Sequence, residues 1–131
     1  MSPLADRSVF ASLGEMRPLP IWDGVIGRAR HGNELTLAVV ELDAGSVIPE
    51  HSHVHEQVGL LLEGAVSFRV GRDERHLAPG ATWCIPSGVP HEVRVGPGGA
   101  VVVEAFAPAR DDWRNLDEMA PIAPRWPRLT K

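Results

Sequence analysis

The sequence predicts an all-β single domain, a sandwich or barrel. Short apolar runs recur at a spacing of roughly 8–12 residues, the rhythm of strands joined by turns. The 13 glycines and 12 prolines are spread along all 131 residues, so turn formers punctuate the whole chain. No stretch before residue 110 carries a helical apolar period. The length suits one domain with a core of its own, and no internal repeat or second domain is visible.

Residues 1–20 are read as an extended arm ending in Arg17-Pro18-Leu19-Pro20, where proline blocks helix. The barrel is expected over 21–110. Ile21-Trp22 and Val25-Ile26 flank a turn at Asp23-Gly24, and His31-Gly32-Asn33 is a second turn. Glu34 to Leu42 is apolar on both faces in its middle, as a strand covered on both sides would be. Val58 to Leu62 is a strand expected to break at Glu63-Gly64. Ala65 to Val70 alternates and turns at Gly71-Arg72-Asp73, and Glu74 to Leu77 returns from there. Pro79-Gly80 fits a type II turn before a strand at Thr82 to Ile85. His91 to Val95 and Ala100 to Phe106 flank Gly96-Pro97-Gly98-Gly99, read as a hairpin. Beyond residue 110, Asp111 to Met119 is expected to form two helical turns. A Pro-rich tail with Trp126 then packs on the domain.

The formal net charge of −4 lacks the basic footprint of a nucleic-acid binder. No apolar run reaches the ~18 residues of a membrane span. Residues 1–20 carry charges and no apolar core of a signal peptide. Cys84 is the only cysteine, so no intrachain disulfide forms, and a cytoplasmic protein is expected. Cys84 is read as a buried, inert thiol. Trp22, Trp83, Trp113 and Trp126 are read as packing residues. His31 and His76, beside turns, are read as solvated.

Three of the six histidines, His51, His53 and His55, lie within five positions. On a strand, His51 and His53 would point to one face, and neutral imidazole is a common transition-metal ligand. A lone H-x-H is weak evidence, but its frame is not alone. Gly45, His51, His53, Gln57 and Gly64 fill G-x5-H-x-H-x3-Q-x6-G. Gly80, Pro86, Gly88 and His91 fill G-x5-P-x-G-x2-H. The pair resembles the two motifs of the cupin superfamily, with Gln57 in place of the usual Glu and Val95 in place of the usual Asn. The resemblance implies a cupin jelly roll holding one divalent transition metal (Zn, Ni, Fe, Mn or Co) on His51, His53, Gln57 and His91. His55 falls outside that frame and is expected behind the ligands or on the loop surface. Neutral Gln57 would leave such a site its full +2 charge, which favours an anionic ligand.

Glu104 is an ionisable group inside the apolar run 101–106, where a carboxyl is a candidate general acid/base. Arg110 is a candidate carboxylate clamp. The ending from Phe106 through Pro108, Arg110 and Asp112 to Trp113 is similar to that of the pectin-degradation protein KdgF family. That resemblance implies Glu104, Phe106 and Arg110 as pocket residues, with Glu104 standing where the family usually has Asp. It further implies ring opening and ketonisation of unsaturated uronic acids. The alternatives are an Fe-dependent dioxygenase and a metabolite-binding barrel without catalysis. The expected partner is a small carboxylate, with neither nucleic acid nor membrane involved. A homodimer is expected because small jelly rolls must cover their sheet edges.

Overall fold

The computed structural model describes residues 8–128. The first seven residues of the expected arm and the last three of the tail lie outside that span. Eight strands follow in order: β1 Leu19–Trp22, β2 Val25–His31, β3 Thr36–Leu42, β4 Val47–His51, β5 Glu56–Val70, β6 Asp73–Leu77, β7 Thr82–Ile85 and β8 His91–Ala107. Every pairing is antiparallel. The all-β jelly roll is therefore the observed fold.

The two long strands organise it. Residues 100–106 of β8 pair with β3, and residues 57–60 of β5 pair with β7. The other halves, 91–94 of β8 and 66–70 of β5, pair with β4 and β6. β5 and β8 thus run side by side through both layers of the barrel. The layers face each other across a common core, as the Phe68 and Trp83 rings show at 5.0 Å between centroids. Leu61, Ile85, Val25 and Val101 are almost fully buried. Each such side chain contributes roughly 1.5–3 kcal/mol through the water it sheds.

Two expected breaks are bends instead. β5 continues through Glu63-Gly64, and β8 continues through Gly96–Gly99, where a hairpin was expected. The register slips between Leu61 and Glu63 and again between Gly64 and Val66, so both strands turn together from one layer to the other. Gly64 (φ +86°) makes this possible, since a Cβ there would fall 2.0 Å from the Gly99 carbonyl oxygen. A local glycine count reads such a corner as a loop; only the partner strand shows that pairing resumes beyond it.

The helix expected over 111–119 is one 3₁₀ turn, Asp111–Asn115, that buries only Trp113. The apolar β3 is buried on both faces, yet one outward residue is Glu41. Arg28 and Glu41 are 1% and 2% exposed and meet at 2.6 Å. The tail covers them: Arg28 Nη2 donates to the Ile122 carbonyl, and the Arg125 backbone N–H donates to Glu41 at 2.9 Å. Arg128 pairs with Glu63 at 2.9 Å further along. Among the described residues, no helix is long and apolar enough to cross a membrane.

Candidate metal centre and substrate pocket

Strand register assembles the site. In the first layer, Trp83 on β7, Gly59 on β5, Glu104 on β8 and Ala38 on β3 form one cross-strand row. Ile85, Gln57, Phe106 and Thr36 form the adjacent row. Gly59 has no side chain, and a Cβ there would meet the Trp83 indole nitrogen at 2.3 Å. The indole lies across this gap, and its N–H donates to the Glu104 carboxylate at 3.0 Å. Gln57, one row away, donates to the same carboxylate oxygen through its amide nitrogen.

The second layer supplies the histidines. His51 ends β4 and pairs with His91 at the start of β8. His53 sits in the loop between β4 and β5, so the H-x-H does not lie on one strand as parity suggested. The loop nevertheless returns His53 to the same centre. Ligand atoms of His51, His53 and His91 all lie within 4.8 Å of one another.

Backbone carbonyls set the orientation of all three rings. The Nδ1–H groups of His51, His53 and His91 donate to the carbonyls of Pro49 (2.9 Å), His55 (3.0 Å) and Val89 (2.9 Å). A carbonyl only accepts, so each neutral ring is left with a lone pair on Nε2. His91 Nε2 is buried with no hydrogen-bond partner among the described residues. Gln57 Oε1 lies 3.0 Å from His53 Nε2, and its amide is held in that sense by Glu104. Two lone-pair atoms that close are a mismatch that a shared cation removes. Burial holds the His91 pKa down to about 4 and also lowers that of His53, where Arg110 adds to the effect. The His53 and His91 rings are therefore neutral at pH 7. Three imidazole nitrogens and an amide oxygen fit a divalent ion such as Zn, Ni, Fe, Mn or Co.

Glu104, Phe106 and Arg110 line the same pocket as the histidines. Burial pushes the Glu104 carboxyl up, against the opposing pull of the Trp83 and Gln57 hydrogen bonds and the Arg110 charge. Glu104 is half-buried and lines this pocket. The Arg110 guanidinium packs over the faces of both Phe106 (4.7 Å) and Trp113 (4.3 Å), whose rings meet edge to face at 5.1 Å. Its fork is not free, however: Nε and Nη2 already grip Asp112 at 3.1 and 2.9 Å. The pocket floor is apolar, with Val40, Val66, Val93 and Val102.

Several side chains read as inert belong here. Trp22, Trp83 and Trp113 all line the pocket, and the Trp22 ring stands 5.1 Å from that of His51. Sequence reasoning missed Trp83 as a polar partner. The available signal was Gly59, a lone glycine within an apolar strand, which marks a close approach. His55 is buried behind His53, with Nε2 3.9 Å from Asp112. His31 meets Thr36 Oγ1 at 2.8 Å rather than only solvent, and exposed His76 meets Ser67 at 2.6 Å. Cys84 is exposed, contrary to its reading as buried, because alternation on β7 turns Trp83 and Ile85 inward and Cys84 out.

Comparison with known proteins places this geometry. The Cupin domain family model matches residues 38–106, more than half of the chain. Comparison with curated protein sequences finds no significant match. Among solved structures, KdgF from Halomonas sp. is 26% identical, with a TM-score of 0.74, covering 80% of this chain and 97% of its own. An RmlC-like cupin from Shewanella frigidimarina is 25% identical, with a TM-score of 0.75, covering 80% and 95%. The polyketide cyclase RemF from Streptomyces resistomycificus, at 21% identity and a TM-score of 0.67 over 77% and 79%, shares the fold. With its histidine triad at the mouth of a two-layer jelly roll, the chain belongs to the cupin superfamily and resembles KdgF.

Proposed function

We propose that the protein is a metal-dependent cupin that opens and ketonises unsaturated uronic acids. The observation that carries this reading is one pocket holding a buried carboxyl, an arginine and a histidine triad together. A divalent ion on His51, His53, Gln57 and His91 would supply Lewis acidity toward substrate oxygens.

The chain's own residues do the rest. Arg110 holds the substrate carboxylate, and the Phe106 and Trp113 rings pack against its guanidinium. Opening the hemiacetal breaks the bond between anomeric carbon and ring oxygen and leaves an aldehyde and an enol. The enol becomes a ketone when a proton is added to the carbon of the former double bond. A hydroxyl proton is lost and a carbon-bound proton is gained, so the net change is isomerisation without redox chemistry. Glu104 carries that proton, and its raised pKa suits a group that must both accept and return it.

The test is anaerobic loss of the conjugated C=C absorbance, with the uronate generated by a polysaccharide lyase. Glu104→Gln should lower kcat by roughly 10²–10⁴-fold with unchanged metal content. Turnover that stops without O₂ would instead identify a dioxygenase. Ligand binding without any turnover would identify a binding barrel.

The proposal extends to a homodimer. Leu37, Ala105, Val58 and Cys84 form one outward row across β3, β8, β5 and β7, and Leu37 and Val58 are 48% and 47% exposed. An apolar sheet face of this kind suits a second copy.

A further inference from the structure

The strongest unassigned feature is Asp112, on the single 3₁₀ turn after the barrel. It lies outside the pocket lining, and its side chain is half exposed. Yet it holds Arg110 by two parallel bonds, Nε to Oδ1 at 3.1 Å and Nη2 to Oδ2 at 2.9 Å. The Phe106 and Trp113 rings meet edge to face at 5.1 Å and 72°, and the guanidinium packs in the corner they form, a contact that does not by itself fix the direction of its N–H groups. A bidentate carboxylate fixes that direction. Among the described residues, no protein group accepts from Nη1, and Arg110 itself lines the pocket.

The backbone around it is anchored. The Arg110 N–H donates to buried Thr36 Oγ1 at 2.8 Å, and the Trp113 N–H donates to the Arg110 carbonyl at 3.0 Å. These bonds position the turn but not the tip of a side chain as long as arginine. His55, whose Nε2 is 3.9 Å from Asp112, packs on the far side, and its carbonyl holds metal-site His53.

We propose that Asp112 is the positioning residue for Arg110: it occupies the Nε edge so that only the Nη1 edge meets a ligand carboxylate, in one orientation. The ligand part of this inference rests on the function proposed above; the positioning part does not. It follows that an Asp112 change acts on anion affinity through Arg110 and leaves the metal centre alone. A substrate approaching an arginine with its whole fork free would have two ways to bind; here it has one.

The experiment uses the full-length, metal-loaded protein and Asp112→Asn, which keeps the shape and removes the charge. The probe is glucuronate, with glucose as the uncharged control and Arg110→Gln as the reference for a lost clamp. Binding is measured by calorimetry, and the Arg110 Nε–H resonance is followed by ¹⁵N NMR. The wild type should show a resolved, slowly exchanging Nε–H. Asp112→Asn should lose it and bind glucuronate roughly tenfold more weakly, the scale of one lost charge-assisted bond. Metal content should be unchanged, and Asp112→Glu should restore part of the affinity. An unchanged Nε–H with unchanged glucuronate affinity would overturn the proposal, as would loss of metal from Asp112→Asn. If the wild type binds no glucuronate while the Nε–H signal is still lost in Asp112→Asn, positioning stands and the uronate reading fails.

Discussion

At the residue scale, Gln57 and Glu104 define each other. Gln57 can offer its oxygen toward His53 only because its nitrogen donates to Glu104. A glutamate at position 57 could not donate, and two carboxylates in contact would have to share a proton. Gln57→Glu should therefore raise the Glu104 pKa further and weaken uronate binding by roughly tenfold or more, since the site also loses a unit of positive charge. The KM for the unsaturated uronate and the pH profile of turnover check this. Trp83 bears on the same carboxyl. Its N–H stabilises the ionised form, so Trp83→Phe removes a cause that lowers the Glu104 pKa. The pH–rate limb set by Glu104 should move to higher pH, with the fold intact by circular dichroism.

At the element scale, the tail and the corner of the long strands carry most of what local patterns hid. Glu41 accepts from Arg28 on its own sheet and from Arg125 on the tail. Glu41→Ala would leave Arg28 buried without its counter-charge, at a cost of about 3–5 kcal/mol. Urea unfolding should show it; a change under 1 kcal/mol would mean that the tail lifts to solvate Arg28. The expected two-turn helix shortened to Asp111–Asn115, within which Trp113 alone is buried, and Leu116, already extended, packs against the core beyond it. Acidic residues at a helix start are a weak signal without an apolar face to bury.

At the scale of the whole molecule, stability couples to the site. His91 is buried neutral with its pKa down at about 4, below the ordinary value of 6.5. In the metal-free protein, the unfolded chain therefore takes up a proton that the folded one refuses. Stability is present above about pH 6.5 and is lost as pH falls toward about 4. Melting temperatures of the metal-free protein across that range should show the decline, and bound metal should add stability at neutral pH. Assembly is tested on the same scale. Light scattering should give a dimer, Leu37→Asp or Val58→Asp should give monomers, and the exposed thiol of Cys84 should react faster in those monomers. A monomeric wild type sinks the interface.

The one-dimensional pattern by itself determined the all-β class and the cupin frames from Gly45 to His91. Turn glycines, strand alternation and ligand spacing are local, and they survive without knowledge of neighbours. Glu104 was legible for the same reason, as a charge inside an apolar run. What only the tertiary structure decided is every relation across strands: the shared corner of β5 and β8, the Trp83–Gly59–Glu104 row, and the tail over Arg28 and Glu41. It also decided that the Arg110 fork is half occupied. These depend on register, which pairs residues as distant as Gln57 and Phe106, and on which side chain fills a gap left on another strand. Register is set by the whole barrel closing on its core, so no short stretch of sequence states it.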